Sequence, residues 1–254
     1  MADGGRTRVA LVTGASSGFG RATCLRLVAG GYAVVAAARR ADALADLAAD
    51  ADGSIYPLQL DVRDRGAAEQ AVADLPDDYA EVDILVNNAG LALGLEAAPT
   101  AVLDNWDRMV DTNCKGLMYV TRAVLPGMVQ RRRGHIVNLG SIAGTYPYPG
   151  GNAYGATKAF VHQFSLNLRS DLHGTGIRVT SIEPGMAETE FSEVRFGGDR
   201  ERAADVYQGM QPLTADDIAA TIEYAVSQPP HVNVNRIELM PVAQSFAAFQ
   251  VARD

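Results

Sequence analysis

Val9-Ala-Leu-Val-Thr-Gly-Ala-Ser-Ser-Gly-Phe-Gly20 is the stretch that decides how this chain folds. Val9–Thr13 is an apolar, β-branched run of strand length. Gly14, Gly18 and Gly20 follow in G-x-x-x-G-x-G spacing, and a helical pattern then covers Gly20–Ala29. Glycine permits a tight turn and close backbone approach. The helix opened by that turn has free N–H groups and a positive dipole end, which together suit a pyrophosphate. Ser16, Ser17 and Phe19 complete the same cradle. Three glycines alone are a weak signal; the strand before them and the helix after give them meaning.

Working outward, Ala33–Ala37, Ile55–Leu60, Ile84–Asn87, His135–Leu139, Arg178–Ile182 and Arg236–Met240 repeat the short apolar pattern, each bounded by Gly, Asp, Asn or Pro. Helical patterns separate them at Ala41–Ala51, Arg65–Asp74, Val102–Arg133 with a break expected near Pro126, Ala153–His173 and Ala215–Ser227. Strand alternating with helix predicts an α/β fold: one seven-stranded, doubly wound parallel sheet with right-handed crossovers and helices on both faces. No repeat or linker divides the 254 residues, so a single domain is expected over 1–254. Only Glu183 to about Gly209 fails to read as a regular element. A long irregular stretch in a compact domain is usually functional, and a substrate lid is expected at about 186–209.

Composition excludes several function classes. A net charge of -8 argues against nucleic acid, which needs clustered Lys and Arg, and Arg131-Arg132-Arg133 is too short to reverse it. That run reads instead as positive charge favourably placed at a helix C-terminus, before Gly134 stops the helix. Apolar stretches are too short for a membrane span, and Met1 to Arg8 lacks the pattern of a signal peptide, so a cytoplasmic protein is expected. Cys24 and Cys114 read as reduced core thiols. His135, His162, His173 and His231 have no metal-ligand spacing, and no metal site is expected.

The second strand ends in Ala38-Arg39-Arg40 where an NAD site would place an acid for the ribose 2′-hydroxyl. Two guanidiniums at the start of a helix, unfavourable for its dipole, suit the 2′-phosphate of NADP(H). Ser141 follows another strand, and Tyr154 and Lys158 stand at i and i+4 on the next helix, one turn apart on one face. A nearby ammonium is expected to lower the phenol pKa and let Tyr154 act as general acid or base, with Ser141 bonding the substrate oxygen. A lone Y-x-x-x-K is common on helix surfaces and would mean little by itself.

The company of motifs changes that. Thr13-Gly14-x-x-x-Gly18-x-Gly20, Leu60-Asp61-Val62, Asn87-Asn88-Ala89-Gly90, Asn113, Ser141, Tyr154/Lys158 and Pro184-Gly185 resemble, in order and spacing over essentially the whole chain, the short-chain dehydrogenase/reductase family. The resemblance implies a single-domain Rossmann fold and a homotetramer. It further implies that Asp61 and Val62 meet the adenine, that Asn88, Ala89 and Gly90 line the cofactor ribose, and that Asn113 completes a tetrad with a water-linked proton relay. Pro184, Gly185, Met186 and Thr189 would lie at the nicotinamide, and Lys158 would reach its ribose. Asp111-Thr-Asn-Cys-Lys-Gly116, Tyr154-Gly-Ala-Thr-Lys-Ala-Phe160 and Met240-Pro-Val-Ala-Gln-Ser245 are similar to the NADP-dependent 3-hydroxy acid (serine 3-) dehydrogenases. That group implies oxidation of serine, allo-threonine or 3-hydroxypropionate-like acids to semialdehydes or ketones, and shades into reductases of other small aldehydes such as sulfoacetaldehyde. Met186-Ala-Glu replaces a longer run of the group, so the lid is altered.

Two residues outside the shared motifs are candidates for the substrate. Arg195 in the lid reads either as an anion hook or as a surface ion pair with Glu193 or Asp199. Gln244 lies in an apolar tail that, by the resemblance, can reach a neighbouring subunit's pocket. A catalytically silent NADP sensor on the same fold is the competing reading, and the presence of both Tyr154 and Lys158 favours the enzyme. Gly140-Ser141-Ile-Ala-Gly144 lacks the G-x-S-x-G spacing of a serine hydrolase. The segment after Gly185 is too short for the substrate domain of a sugar-nucleotide epimerase.

Overall fold

A computed structural model describes residues 6–51 and 54–246. The strands are β1 (Val9–Thr13), β2 (Ala33–Ala38), β3 (Ile55–Gln59), β4 (Val82–Asn87), β5 (Gly134–Leu139), β6 (Ile177–Pro184) and β7 (Arg236–Leu239). They form one sheet, parallel throughout, in the order β3-β2-β1-β4-β5-β6-β7. Its helices are α1 (Gly18–Ala29), α2 (Ala41–Asp50), α3 (Arg65–Ala73), α4 (Asp77–Ala80), α5 (Leu103–Val110), α6 (Leu117–Arg131), α7 (Asn152–Asp171), α8 (Glu190–Arg195), α9 (Arg200–Asp205) and α10 (Ala215–Ser227).

The two-residue period of a strand explains why helices cover both faces. Ala10 and Val12 of β1 pack with Leu27 of α1, Leu44 and Leu47 of α2, and Ile218 and Ile222 of α10. Leu11, between them, points the other way to Val120, Val124 and Met128 of α6 and Leu168 of α7. A strand buried on both faces has no polar side, and all of Val9–Thr13 is buried. Both cysteines are free and buried, and burial pushes the Cys24 thiol up to about 12.

Three expectations need correction. The long helix breaks at Asp111–Gly116, a π-helical turn, and not at Pro126, which lies inside α6. Pro126 is exposed, as is Arg122 one turn before it, so the proline sits on the solvent face of the helix. Around the π-turn the chain approaches β3's exit closely: a Cβ on Gly116 would lie 2.6 Å from Val62 Cγ2. The second correction concerns Glu183 and Pro184, which belong to β6, while α8 and α9 occupy part of the stretch expected to be irregular. Third, Arg132 itself takes the left-handed conformation that ends α6 (φ 52°), because Gly134 is already the first residue of β5. Its neighbours reach across to β4: Arg131 Nη2 donates to the Val82 carbonyl at 2.8 Å and Arg133 Nε to Asp83 Oδ1 at 2.7 Å.

Candidate active site

In an open parallel sheet, ligands lie beyond the carboxyl ends of the strands where the strand order reverses. Here that point falls between β1 and β4, and a cleft of about 820 Å³ opens there. The glycine turn forms its floor. Gly14 and Gly18 have φ of +66° and +50°. A Cβ on Gly14 would come within 2.8 Å of Asn88 Nδ2 and 2.9 Å of Ala89 Cα, and one on Gly20 would collide with the Gly14 carbonyl. Thr13 Oγ1 accepts from the Asn88 and Ala89 N–H groups, both at 3.0 Å, and Asn88 Nδ2 donates to the Thr13 carbonyl at 2.9 Å. Asn88 therefore braces the turn with its side chain, while Gly90 lines the cleft.

At the far end, Arg39 and Arg40 are exposed and make no salt bridge among the described residues. Arg40 Nη2 and Nε donate to Ser16 Oγ at 3.0 and 3.2 Å, so one guanidinium already faces the phosphate turn. Asp61 is held by Arg63 through both carboxylate oxygens, at 3.1 Å from Nε and 2.5 Å from Nη2 on Oδ2 and 3.0 Å from Nε on Oδ1. The Arg63 bonds hold the Asp61 carboxyl below the usual carboxylate range. Val62 is buried beside it. Ser17 caps α1 in extended conformation, and Thr189 lies 3.4 Å from where a Gly18 Cβ would be. A glycine floor with two guanidiniums at one end that have no acidic partner among the described residues fits a dinucleotide bearing an extra phosphate.

At the opposite end, α7 carries Tyr154 and Lys158, the loop after β5 carries Ser141, and the π-turn carries Asn113. Lys158 Nζ donates to the Leu139 carbonyl at 2.7 Å and lies 5.8 Å from the Tyr154 ring centroid. Asn113 is consumed by structure: Oδ1 accepts from Leu91 N–H at 2.9 Å, and Nδ2 donates to the Leu91 carbonyl at 2.9 Å and Thr157 Oγ1 at 3.0 Å. Thr157 Oγ1 in turn donates to the Tyr154 carbonyl at 2.8 Å, so the π-turn is tied to the start of α7.

The expected lowering of the tyrosine pKa is reversed. Burial pushes Tyr154 up to about 12, against the opposing bond from Ser141 and the charge of Arg195. Its ring packs with Leu91 and Met109 and meets Phe191 at 5.7 Å between centroids, a setting in which a phenolate is poorly solvated. Burial also draws Lys158 down to about 8.

Arg195 resolves between its two readings. Glu193 pairs with Arg200, and Asp199 accepts from the Arg202 N–H. The Arg195 guanidinium turns inward instead: Nη2 donates to Tyr148 Oη at 2.7 Å and Nε to the Gly94 carbonyl at 3.3 Å, and its carbon stands 5.6 Å from the Tyr154 centroid. It pairs with no carboxylate among the described residues. Gln244 serves its own chain, accepting from the Met186 N–H at 2.8 Å through Oε1 and packing against Gly185.

Sequence reasoning missed Arg63, Tyr148 and Glu183. Glu183 is 1% exposed behind Ser141, with Oε1 accepting from His162 Nδ1 at 2.7 Å and Ser181 Oγ at 2.9 Å, and Oε2 2.7 Å from Arg236 Nη2. An acid inside an apolar β6 and a Tyr-Pro-Tyr-Pro run after Ser141 were the available signals.

Comparison with known proteins agrees with this architecture. The profile described as short chain dehydrogenase matches residues 8–198. The chain belongs to the short chain dehydrogenase family. Among its relatives, an NADP-dependent 3-hydroxy acid dehydrogenase of Salmonella typhi is 54% identical over 96% of this chain and 99% of its own. A serine 3-dehydrogenase of Agrobacterium fabrum is 55% identical over 96% of this chain and 98% of its own. A solved structure, the closed form of serine dehydrogenase complexed with NADP+, superposes with a TM-score of 0.96 at 53% identity, over 97% of this chain and all (100%) of that one. The Rossmann-type sheet expected from the glycine turn is thus the fold of this short chain dehydrogenase.

Proposed function

We propose that this dehydrogenase interconverts a small 3-hydroxy acid and its semialdehyde or ketone with NADP(H), and that Arg195 selects the acid. The names of its relatives support the substrate class. The observation that carries the reading is the inward Arg195 guanidinium, 5.6 Å from the Tyr154 ring and without a carboxylate partner among the described residues. A cation so placed suits a substrate carboxylate, which it can hold by paired, charge-assisted bonds.

When bound, NADP(H) accepts or supplies the hydride. The glycine turn with Ser16, Ser17 and Phe19 takes the pyrophosphate, Arg39 and Arg40 the 2′-phosphate, and Asp61 and Val62 the adenine edge. Asn88, Ala89 and Gly90 stand at the ribose, and Pro184, Gly185, Met186 and Thr189 at the nicotinamide. Ser141 fixes the substrate oxygen. Tyr154, protonated at neutral pH, donates its phenolic proton to a carbonyl being reduced and recovers one when an alcohol is oxidised. Lys158, cationic below about pH 8, stabilises the phenolate as it forms and would hold the ribose of the bound cofactor. Asn113 positions this pair through Leu91 and Thr157.

Residues 186–209 act as the lid, latched by the Gly94 N–H donating to the Arg195 carbonyl at 3.1 Å and by Gln244 on Met186. The protein works in the cytoplasm as a homotetramer. Leu103, Val110 and Leu166 are exposed apolar side chains on α5 and α7 that subunit contacts would cover. Among the described residues no helix is long and apolar enough to cross a membrane.

The test compares NADP+ reduction by 3-hydroxypropionate or serine with NADP+ reduction by a neutral alcohol. Arg195→Ala should lower kcat/KM for the acid by about tenfold or more and spare the alcohol. Equal loss on both, or none, would turn the assignment toward small neutral aldehydes and ketones or sulfoacetaldehyde. Absence of turnover on every carbonyl and alcohol would favour the NADP-sensing reading.

A further inference from the structure

The adenine end of the cleft holds more charge than recognition of a 2′-phosphate requires. Arg39, Arg40 and Arg63 gather there around a single carboxylate, Asp61, in a chain of net charge -8. The arginines are not equivalent. Arg39 and Arg40 are unpaired by acids among the described residues, whereas Arg63 grips both oxygens of Asp61 from two positions along the chain. The Arg63 side chain is 39% exposed and that of Asp61 34%, so both reach the open mouth of the cleft.

Consider the carboxylate without its partner. Asp61 already interacts with Arg39 through space. Left free, its negative charge would draw Arg39 to itself and repel an incoming phosphate dianion, two effects of the same sign. A cofactor carrying a neutral 2′-hydroxyl instead would not meet that repulsion and would not need Arg39. The pairing therefore removes an element that would otherwise favour the wrong cofactor.

We propose that Arg63 is a specificity-determining residue that neutralises Asp61, keeping Arg39 free and the cleft mouth open to the 2′-phosphate of NADP. Arg63 acts through Asp61 and not by touching the cofactor. This rests on the assignment of Arg39 and Arg40 to the 2′-phosphate, and the experiment separates the two.

Dissociation constants for NADP and NAD are measured by calorimetry at low salt on the folded full-length protein, Arg63→Gln, Asp61→Asn and the double variant, with circular dichroism checking the fold of each. Arg63→Gln should weaken NADP by about tenfold and leave NAD unchanged or tighter, and the loss should shrink in 1 M salt. In the Asp61→Asn background the same Arg63→Gln change should alter NADP binding by less than about twofold, because the charge that Arg63 neutralises is gone. Equal weakening of NADP and NAD would mean that Arg63 meets the shared adenosine, and overturns the proposal. So would a tenfold loss that persists in the Asp61→Asn background, or no change in either cofactor, which would make Arg63–Asp61 a surface ion pair only. A separate Arg39→Ala/Arg40→Ala variant with unaltered NADP binding would overturn the 2′-phosphate assignment itself, independently of the Arg63 cycle.

Discussion

The two ends of the cleft are held by different kinds of bond. Around the glycine turn, short side chains bond the backbone: Thr13 Oγ1 and Asn88 Nδ2 lock two strand exits together, and no glycine there has room for a Cβ except toward Thr189. Around the substrate end, long side chains do the work: Arg195 on Tyr148, Tyr207 Oη on the Ala187 carbonyl at 2.8 Å, and Gln244 on Met186. Short Thr and Asn side chains have little rotamer entropy to lose, whereas a latch of long side chains opens at the cost of a few exposed contacts. The lesson is a division of labour, with a cofactor floor locked by short contacts and a substrate wall held by a few long side chains.

The sharpest division should come from Tyr154→Phe, which removes the phenolic proton and keeps the ring. Turnover should fall by about a thousandfold or more while NADP affinity, set at the other end, stays within about twofold. Residual activity above a few per cent in a stopped-flow assay would break the assignment.

The pH profile offers the next largest effect. Reduction of a carbonyl consumes a proton from Tyr154 and needs the Lys158 ammonium to support the phenolate. With Tyr154 pushed up to about 12 and Lys158 drawn down to about 8, the first group to lose its proton as pH rises is Lys158. The rate of reduction should therefore be flat below about pH 8 and fall about tenfold per pH unit above it. A profile that stays flat to pH 10 would remove Lys158 from the proton step.

Replacing both Arg39 and Arg40 by Ala should raise the NADP KM by at least about tenfold and change NAD little, since charge-assisted bonds contribute about 1.5–3 kcal/mol each. Equal use of both cofactors by the unaltered protein would contradict the assignment. The smallest effect expected is that of Gln244→Ala, which loosens Met186 without touching the chemistry: KM for substrate should rise by about two- to threefold at unchanged kcat. Hydrogen exchange then sharpens the comparison directly, with amides of 186–209 expected to exchange faster than those of Val9–Gly20. Equal protection would mean that the two ends are alike.

Much of this was legible in the chain because it is local. Period-two burial in β1, the glycine spacing and the i, i+4 pair on α7 each follow from backbone geometry over a few residues. The break at Asp111–Gly116 was not legible: the close approach of Gly116 to Val62, some fifty positions away in sequence, leaves no local trace, while Pro126 gave a stronger but misleading local signal. The tyrosine pKa erred for the same reason. A neighbouring lysine is visible at four residues' distance, but burial by Leu91, Met109 and Phe191 is not.

The sequence by itself determined the fold and the glycine turn, and it put Tyr154 and Lys158 one turn apart on α7, because spacing along strand and helix dictates these. Only the tertiary structure decided which way Arg195 turns, that Gln244 serves its own chain, and that Arg63 claims Asp61. Each of those is a choice among several partners of similar chemistry, and only the packing of distant segments, which sets distance and desolvation, selects one.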